Sequence, residues 1–97
     1  MSEAIINTIR DYFATQPVKK AWLFGSYARG EETPESDVDI LVEFAKDADI
    51  GMFEHARMIL ALEKLVGKDV DLVPEGTLLP FAERTANQDK QLIYSRP

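Results

Sequence analysis

Three aspartates have the residue type and the spacing for chemistry on phosphates. Asp37 and Asp39 open one apolar segment, residues 37–44, and Asp71 lies within another, residues 69–73. Residues at i and i+2 of a strand point to one face, so we expect the first two carboxylates about 7 Å apart on the same face. Two such charges at about 4 Å repel by about 4 kcal/mol at an effective dielectric constant near 20. A cluster with the third carboxylate therefore calls for a cation.

The chemistry of these side chains favours magnesium as that cation. The sequence has no cysteine and one histidine, so the oxygen ligands have little competition from nitrogen or sulfur. Mg²⁺ binds carboxylates, water and substrate phosphates in octahedral geometry, and two such ions can activate an attacking oxygen and stabilise a leaving group. We predict Asp37, Asp39 and Asp71 as catalytic metal ligands. Asp69, on the same predicted strand face as Asp71, is the alternative third ligand.

A glycine-serine pair provides a second element of phosphate chemistry. Gly25 and Ser26 follow an apolar segment, and ten residues separate Ser26 from Asp37. A glycine after a strand permits a sharp turn and a close backbone approach, and the amides that follow can hold phosphates together with the serine hydroxyl. Arg29 has two open interpretations, a contact to a phosphate or an ion pair with the acidic loop that begins at Glu31.

The hydrophobic pattern predicts the elements that position these residues. We expect helices at about residues 2–15, 50–66 and 79–88, a helical turn at 27–30, a loop at 31–36, and strands at 18–24, 37–44, 69–73 and 92–94. For helix 50–66 the pattern indicates an N-cap at Asp47 or Asp49 and a C-terminal stop at Gly67. Its predicted buried stripe comprises Phe53, Ala56, Ile59, Leu60 and either Leu62 or Glu63. His55 is interpreted as a helix-surface residue without a role.

The spacing of these residues and the sequence around them resemble those of a known family. Gly-Ser, ten residues and Asp-x-Asp resemble the signature of the DNA polymerase β-like nucleotidyltransferase superfamily. The segments GSYARG, PESDVDILV and VDLV resemble its minimal nucleotidyltransferases, over about residues 5–94. The resemblance implies an α/β (α+β) fold with a mixed sheet flanked by helices. It also implies that Gly25 and Ser26 bind the triphosphate, that Asp37 and Asp39 bind both metals, and that Asp71 lies nearest the attacking hydroxyl.

The resemblance also implies a substrate and a partner. Minimal nucleotidyltransferases of this kind commonly neutralise a HEPN-type ribonuclease toxin by adding AMP to a tyrosine. We therefore expect an antitoxin that uses ATP and two Mg²⁺ ions and forms a hetero-oligomer with its toxin. The alternatives are a binding subunit that blocks a toxin sterically and a small-molecule, antibiotic-type nucleotidyltransferase, although the latter usually carries an added helical domain.

Length, charge and composition limit the domain number, the binding partners and the cellular location that we expect. The 97 residues are sufficient for one domain, which we place at 1–97, and their net charge of −6 disfavours direct nucleic-acid binding. The N-terminal residues lack the basic start of a signal peptide, and no apolar run approaches the roughly 20 residues of a membrane helix. The absence of cysteine agrees with a reducing compartment. These features predict a cytoplasmic protein without a membrane interaction.

Overall fold

The computed structural model describes residues 3–75, 77, 84 and 88–97, with the backbone alone at residue 26. Helices and strands alternate along most of this chain. In order, the elements are α1 (Glu3–Phe13), β1 (Val18–Phe24), α2 (Gly25–Arg29), β2 (Val38–Phe44), α3 (Met52–Val66), β3 (Val70–Pro74) and β4 (Gln91–Ser95).

The four strands form one mixed sheet in the order β3-β2-β1-β4. β1 pairs antiparallel with β2 and with β4, whereas β2 pairs parallel with β3. A register shift between Val18 and Lys20 interrupts the alternation of β1, so that Val18 and Ala21 both face the core. The predicted mixed sheet with helices against it is confirmed, and β4 lies at the predicted edge.

The core lies on one face of the sheet, where α1 and α3 pack against it. It contains apolar residues from both helices and from all four strands: Ile9, Phe13, Val18, Ala21, Leu23, Val38, Ile40, Val42, Met58, Leu62, Val70, Leu72 and Ile93. Val38 and Ile40 point into this core, so the intervening Asp39 points to the opposite face. Among the described helices, none combines the length and apolar character required to cross a bilayer.

The structure corrects two predictions for α3. Phe53 and Leu60, placed in the buried stripe, are 84% and 65% exposed, and Ala56 is exposed as well. The helix buries Leu62, one of the two predicted alternatives, together with Met58, which was not predicted. Apolar residues occur all around this helix, so local periodicity did not identify the side that meets the sheet. The N-cap is Gly51 rather than Asp47 or Asp49, and its N–H donates to Oε2 of Glu54 at 3.1 Å.

The remaining boundaries differ little from the predictions. The helical segment after β1 begins at Gly25 rather than at residue 27. Gly67 ends α3 in the left-handed region, with φ of 70°, and its N–H donates to the carbonyl of Glu63, as predicted for a C-terminal stop. Apart from residues 84 and 88, the predicted helix at 79–88 lies outside the described residues.

Candidate active site

The turn between β1 and α2 brings the backbone against the Asp39 carboxylate. Gly25 occupies this turn with φ of 71°, a conformation that L side chains rarely adopt. A Cβ atom built at this position would collide with Oδ2 of Asp39 and would lie 3.2 Å from its Cγ. Gly25 is therefore required both for the direction of the chain and for the close approach of the carboxylate.

The sheet register places a second aspartate beside Asp39. In the parallel ladder between β2 and β3, Asp39 is opposite Asp71, and Phe24 is its partner on β1. Asp39 is half-buried, whereas Asp71 is exposed. Asp69 precedes β3 and contributes its backbone carbonyl to Val38 N at 2.9 Å. Of the two candidate third ligands, Asp71 is the one that the register brings opposite Asp39.

The surroundings of Asp39 make its ionisation unfavourable. Burial, followed by the negative charges of Asp71 and Asp37, raises the pKa of Asp39 to about 6, and the positive charge of Arg29 partly opposes this rise. Asp37 lies just before β2 and is exposed. The three carboxylates therefore interact electrostatically, with the greatest effect on the half-buried member.

These residues fit a hard divalent cation in chemistry, although they do not form a closed cage. Burial and then the negative charges of Asp71 and Asp37 raise the pKa of Asp39, and a cation would neutralise those charges. Across the described parts of the chain, no three His, Cys, Asp or Glu side chains are grouped closely enough to hold an ion by themselves. Uncompensated carboxylates repel one another, and Mg²⁺ usually takes only one or two protein carboxylates and completes its shell with water and substrate phosphates. The arrangement suits an ion that arrives with a nucleotide.

Arg29 ends α2 and forms two ion pairs at the side of the site. Its Nη1 lies 3.1 Å from Oδ2 of Asp89, and its Nε lies 3.4 Å from Oε2 of Glu31. The hydrogen bond to Asp89 and the contact with Glu31 raise the pKa of Arg29. Of the two interpretations of Arg29, the structure shows the pairing with the acidic loop. The Asp89 contact, 60 residues away in sequence, was not predicted.

The structure places Ser26 directly after Gly25, inside the five-residue helix α2. Its side chain lies outside the described part of the structure. The backbone of α2 therefore follows the glycine turn immediately, as the phosphate-binding interpretation requires.

His55 and Glu63 are two residues of the site region that the sequence interpretation missed. His55 is half-buried, contrary to its prediction as a surface residue, and its Nε2 lies 2.8 Å from the carbonyl oxygen of Leu72. Glu63 was considered only as a possible member of the buried stripe, but its Oε2 accepts the Val70 N–H at 3.0 Å. Both contacts reach β3, the strand that carries Asp71. Helical spacing from Met58 and Leu62 was the one signal that could have placed His55 on the inner side of α3.

Comparison with known proteins identifies the family. Residues 5–93, most of the chain, match the family described as the nucleotidyltransferase domain. The chain belongs to this family. This nucleotidyltransferase domain is 44% identical over 78 residues to a "Putative protein adenylyltransferase" of Methanocaldococcus jannaschii, a match that covers 79% of this chain and 76% of that one. It is 43% identical over 77 residues to "Protein adenylyltransferase MntA" of Thermococcus cleftensis, covering 79% and 74% of the two chains.

Solved structures show the same fold. A structure described as a "putative minimal nucleotidyltransferase" superimposes with a TM-score of 0.75 at 34% identity, over 91% of this nucleotidyltransferase domain and 88% of that chain. A second, described as a toxin-antitoxin with AMP-PNP, gives a TM-score of 0.78 at 20% identity, over 94% and 73% of the two chains. These likenesses confirm the predicted polymerase β-like fold and the resemblance to minimal nucleotidyltransferases.

Proposed function

We propose that this nucleotidyltransferase domain is a protein adenylyltransferase that moves AMP from ATP onto a hydroxyl of a partner protein. The observation that carries the proposal is the contact between Gly25 and the Asp39 carboxylate. It joins the turn suited to phosphate binding to the side chains suited to Mg²⁺. The relatives named as protein adenylyltransferases support the choice of AMP and of a protein acceptor.

In this proposal the residues divide the work between nucleotide and metal. Gly25 and Ser26 hold the outer phosphates of ATP at the start of α2, and Arg29 assists from its end. Asp37, Asp39 and Asp71 would hold two Mg²⁺ ions, which would neutralise charge on the phosphates and favour the attacking form of the acceptor oxygen. Asp71 is the exposed member of the ladder pair, so of these two carboxylates it is the more open to an incoming acceptor.

In nucleotidyl transfer the protein contributes chiefly by positioning the reactants and stabilising charge. The acceptor hydroxyl loses its proton to solvent as its oxygen forms a bond to the α-phosphorus of ATP, the bond from that phosphorus to the bridging oxygen breaks, and pyrophosphate leaves. Asp39, held against Gly25 and opposite Asp71, keeps the negative side chains in register with the phosphate-binding turn. A misplacement of about 1 Å in such a site costs on the order of a hundredfold in rate.

The proposed partner is a HEPN-type ribonuclease toxin, with which the domain forms a cytoplasmic hetero-oligomer as antitoxin. The toxin-antitoxin structure bound to AMP-PNP shares this fold and motivates that choice. The partner contributes the acceptor hydroxyl, and its modification neutralises it.

A titration with the partner tests the proposed function. The domain is incubated with a candidate HEPN-type toxin, Mg²⁺ and ATP, at ratios from substoichiometric to equimolar, and intact mass and ribonuclease activity are measured. We expect substoichiometric domain to silence the toxin, with a gain of about 329 Da per added AMP as pyrophosphate is released. Asp39→Asn is the matched control and should lose the mass shift. If silencing requires equimolar protein, proceeds without nucleotide and survives Asp39→Asn, the inhibition is steric instead.

A further inference from the structure

The outer edge of β3 exposes backbone groups on both sides of Asp71. β3 is an edge strand whose single ladder neighbour among the described strands is β2. The bonds from Val38 N to Asp69 O, 2.9 Å, and from Glu75 N to Val42 O, 2.7 Å, show that odd-numbered residues direct their backbone groups toward β2. The backbone groups of Val70 and Leu72 therefore point to the open edge.

Two side chains of α3 occupy this open edge. Oε2 of Glu63 accepts the Val70 N–H at 3.0 Å, and Nε2 of His55 donates to the Leu72 carbonyl at 2.8 Å. The His55 ring also packs edge-on against Phe44, with the ring centroids 6.4 Å apart. We call Glu63 and His55 the edge clamp, since their two bonds flank Asp71 at the preceding and following residues.

Because Asp71 lies between the two clamped residues of β3, the edge clamp affects where the Asp71 carboxylate lies. The Asp71 side chain is exposed, so its place is set by the β3 backbone rather than by packing around the carboxylate. Its alignment with Asp39 depends on the ladder between β2 and β3. An edge strand held on one side only opens locally more readily than one bonded on both sides.

We propose that Glu63 and His55 are positioning residues that hold Asp71 opposite Asp39 for nucleotidyl transfer. This inference rests on the proposed function, in which Asp71 lies nearest the acceptor. The turn at Gly25 and the carboxylate of Asp39 belong to β1, α2 and β2, none of which the edge clamp's hydrogen bonds contact. Loss of the clamp therefore lowers kcat by about tenfold or more while KM for ATP changes little.

Paired substitutions separate positioning from general destabilisation. Glu63→Leu and His55→Leu remove the two bonds, whereas Glu63→Gln keeps a carbonyl acceptor and His55→Gln keeps an N–H donor. Met58→Ala is the matched control, because it removes a buried side chain of the same helix but neither of the two hydrogen bonds to the β3 edge. We expect both leucine variants to lose kcat, the glutamine variants to recover most of it, and folded Met58→Ala to retain kcat.

Amide hydrogen exchange provides a readout that needs no catalysis. In the wild-type chain the Val70 amide, although it points to the open edge, should be protected. Glu63→Leu should remove that protection, and both leucine variants should speed exchange at Asp71 and Val73. Fast exchange of the Val70 amide in the wild-type protein would overturn the inference. This measurement needs no variant, so the inference can be tested even if a leucine variant fails to fold.

The kinetic outcomes distinguish this inference from the proposed function. Leucine variants that lose β3 protection but transfer AMP at the wild-type kcat would show that the edge clamp is structural only, and the proposed function would stand. A fall of kcat in Met58→Ala equal to that in the leucine variants would also overturn the positioning role. A wild-type domain that transfers no AMP overturns the proposed function and this role with it.

Discussion

Replacing Asp39 with asparagine should stabilise the metal-free protein while it abolishes transfer. The folded chain raises the pKa of this carboxyl from 3.8 to about 6, mainly by burial and then by the charges of Asp71 and Asp37. At about 1.4 kcal/mol per pKa unit, the rise corresponds to a ceiling of about 3 kcal/mol. The side chain is only half-buried, so solvent screening lowers the expected gain to about 1–1.5 kcal/mol.

The stability gained by Asp39→Asn should decrease as the pH falls. A raised pKa means that the folded state holds the Asp39 proton more tightly than the unfolded chain, so ionisation at neutral pH destabilises the fold. The neutral amide of the variant would not bear this cost. The stability difference between Asp39→Asn and wild type should be full above about pH 7, fall to about half near pH 5 and vanish below about pH 3.8.

Urea denaturation of both proteins without divalent cations, at pH values across this range, measures the difference by linear extrapolation. Asp47→Asn, an exposed aspartate in the turn after β2, is the matched control and should change stability by less than about 0.5 kcal/mol. A variant less stable than wild type at neutral pH, or a difference independent of pH, would refute the reasoning that Asp39 is ionised against its surroundings.

Three further predictions address the turn, the nucleotide and the arginine. Gly25→Ala should lose more stability than Gly30→Ala, because both glycines have φ of 71° but only at Gly25 would a Cβ atom collide with Asp39. Backbone strain alone should cost each variant about 1–2 kcal/mol, so equal losses would contradict the close approach of Asp39 to Gly25. Mg²⁺-ATP should raise the melting temperature, whereas ATP with EDTA should do little, and equal shifts in thermal denaturation would show that the carboxylates do not clamp the phosphates through a metal. Arg29→Leu should raise KM for ATP several-fold with little loss of stability, since the Arg29 side chain is exposed; an unchanged KM would limit Arg29 to its ion pairs.

The strands and the outline of the site could be predicted because their signals are local. Alternation over residues 38–44 sets which side chains of β2 face the core, and Asp39 follows on the opposite face from geometry alone. The Gly25 turn was predictable from a glycine after an apolar strand. That its missing side chain admits the Asp39 carboxylate required the β1–β2 register, which pairs Phe24 with Asp39.

The contacts that surround the site could not be predicted, because they join distant segments. The buried side of α3 depends on where the helix crosses the sheet, and exposed Phe53 and Leu60 are as apolar as the buried Met58 and Leu62. The bond from His55 to Leu72 exists because β3 is an edge strand beside α3, a fact of topology rather than of either segment.

The central claim, AMP transfer from ATP to a partner protein, is tested most directly by the position of an isotopic label. The domain, its toxin partner and Mg²⁺ are incubated in parallel with ATP labelled at the α-phosphorus and with ATP labelled at the γ-phosphorus, and the toxin is then separated and counted. The account predicts label on the toxin from the α position only, and none with Asp39→Asn. Label from the γ position would show phosphoryl transfer instead, and no label from either position would contradict catalysis by this site.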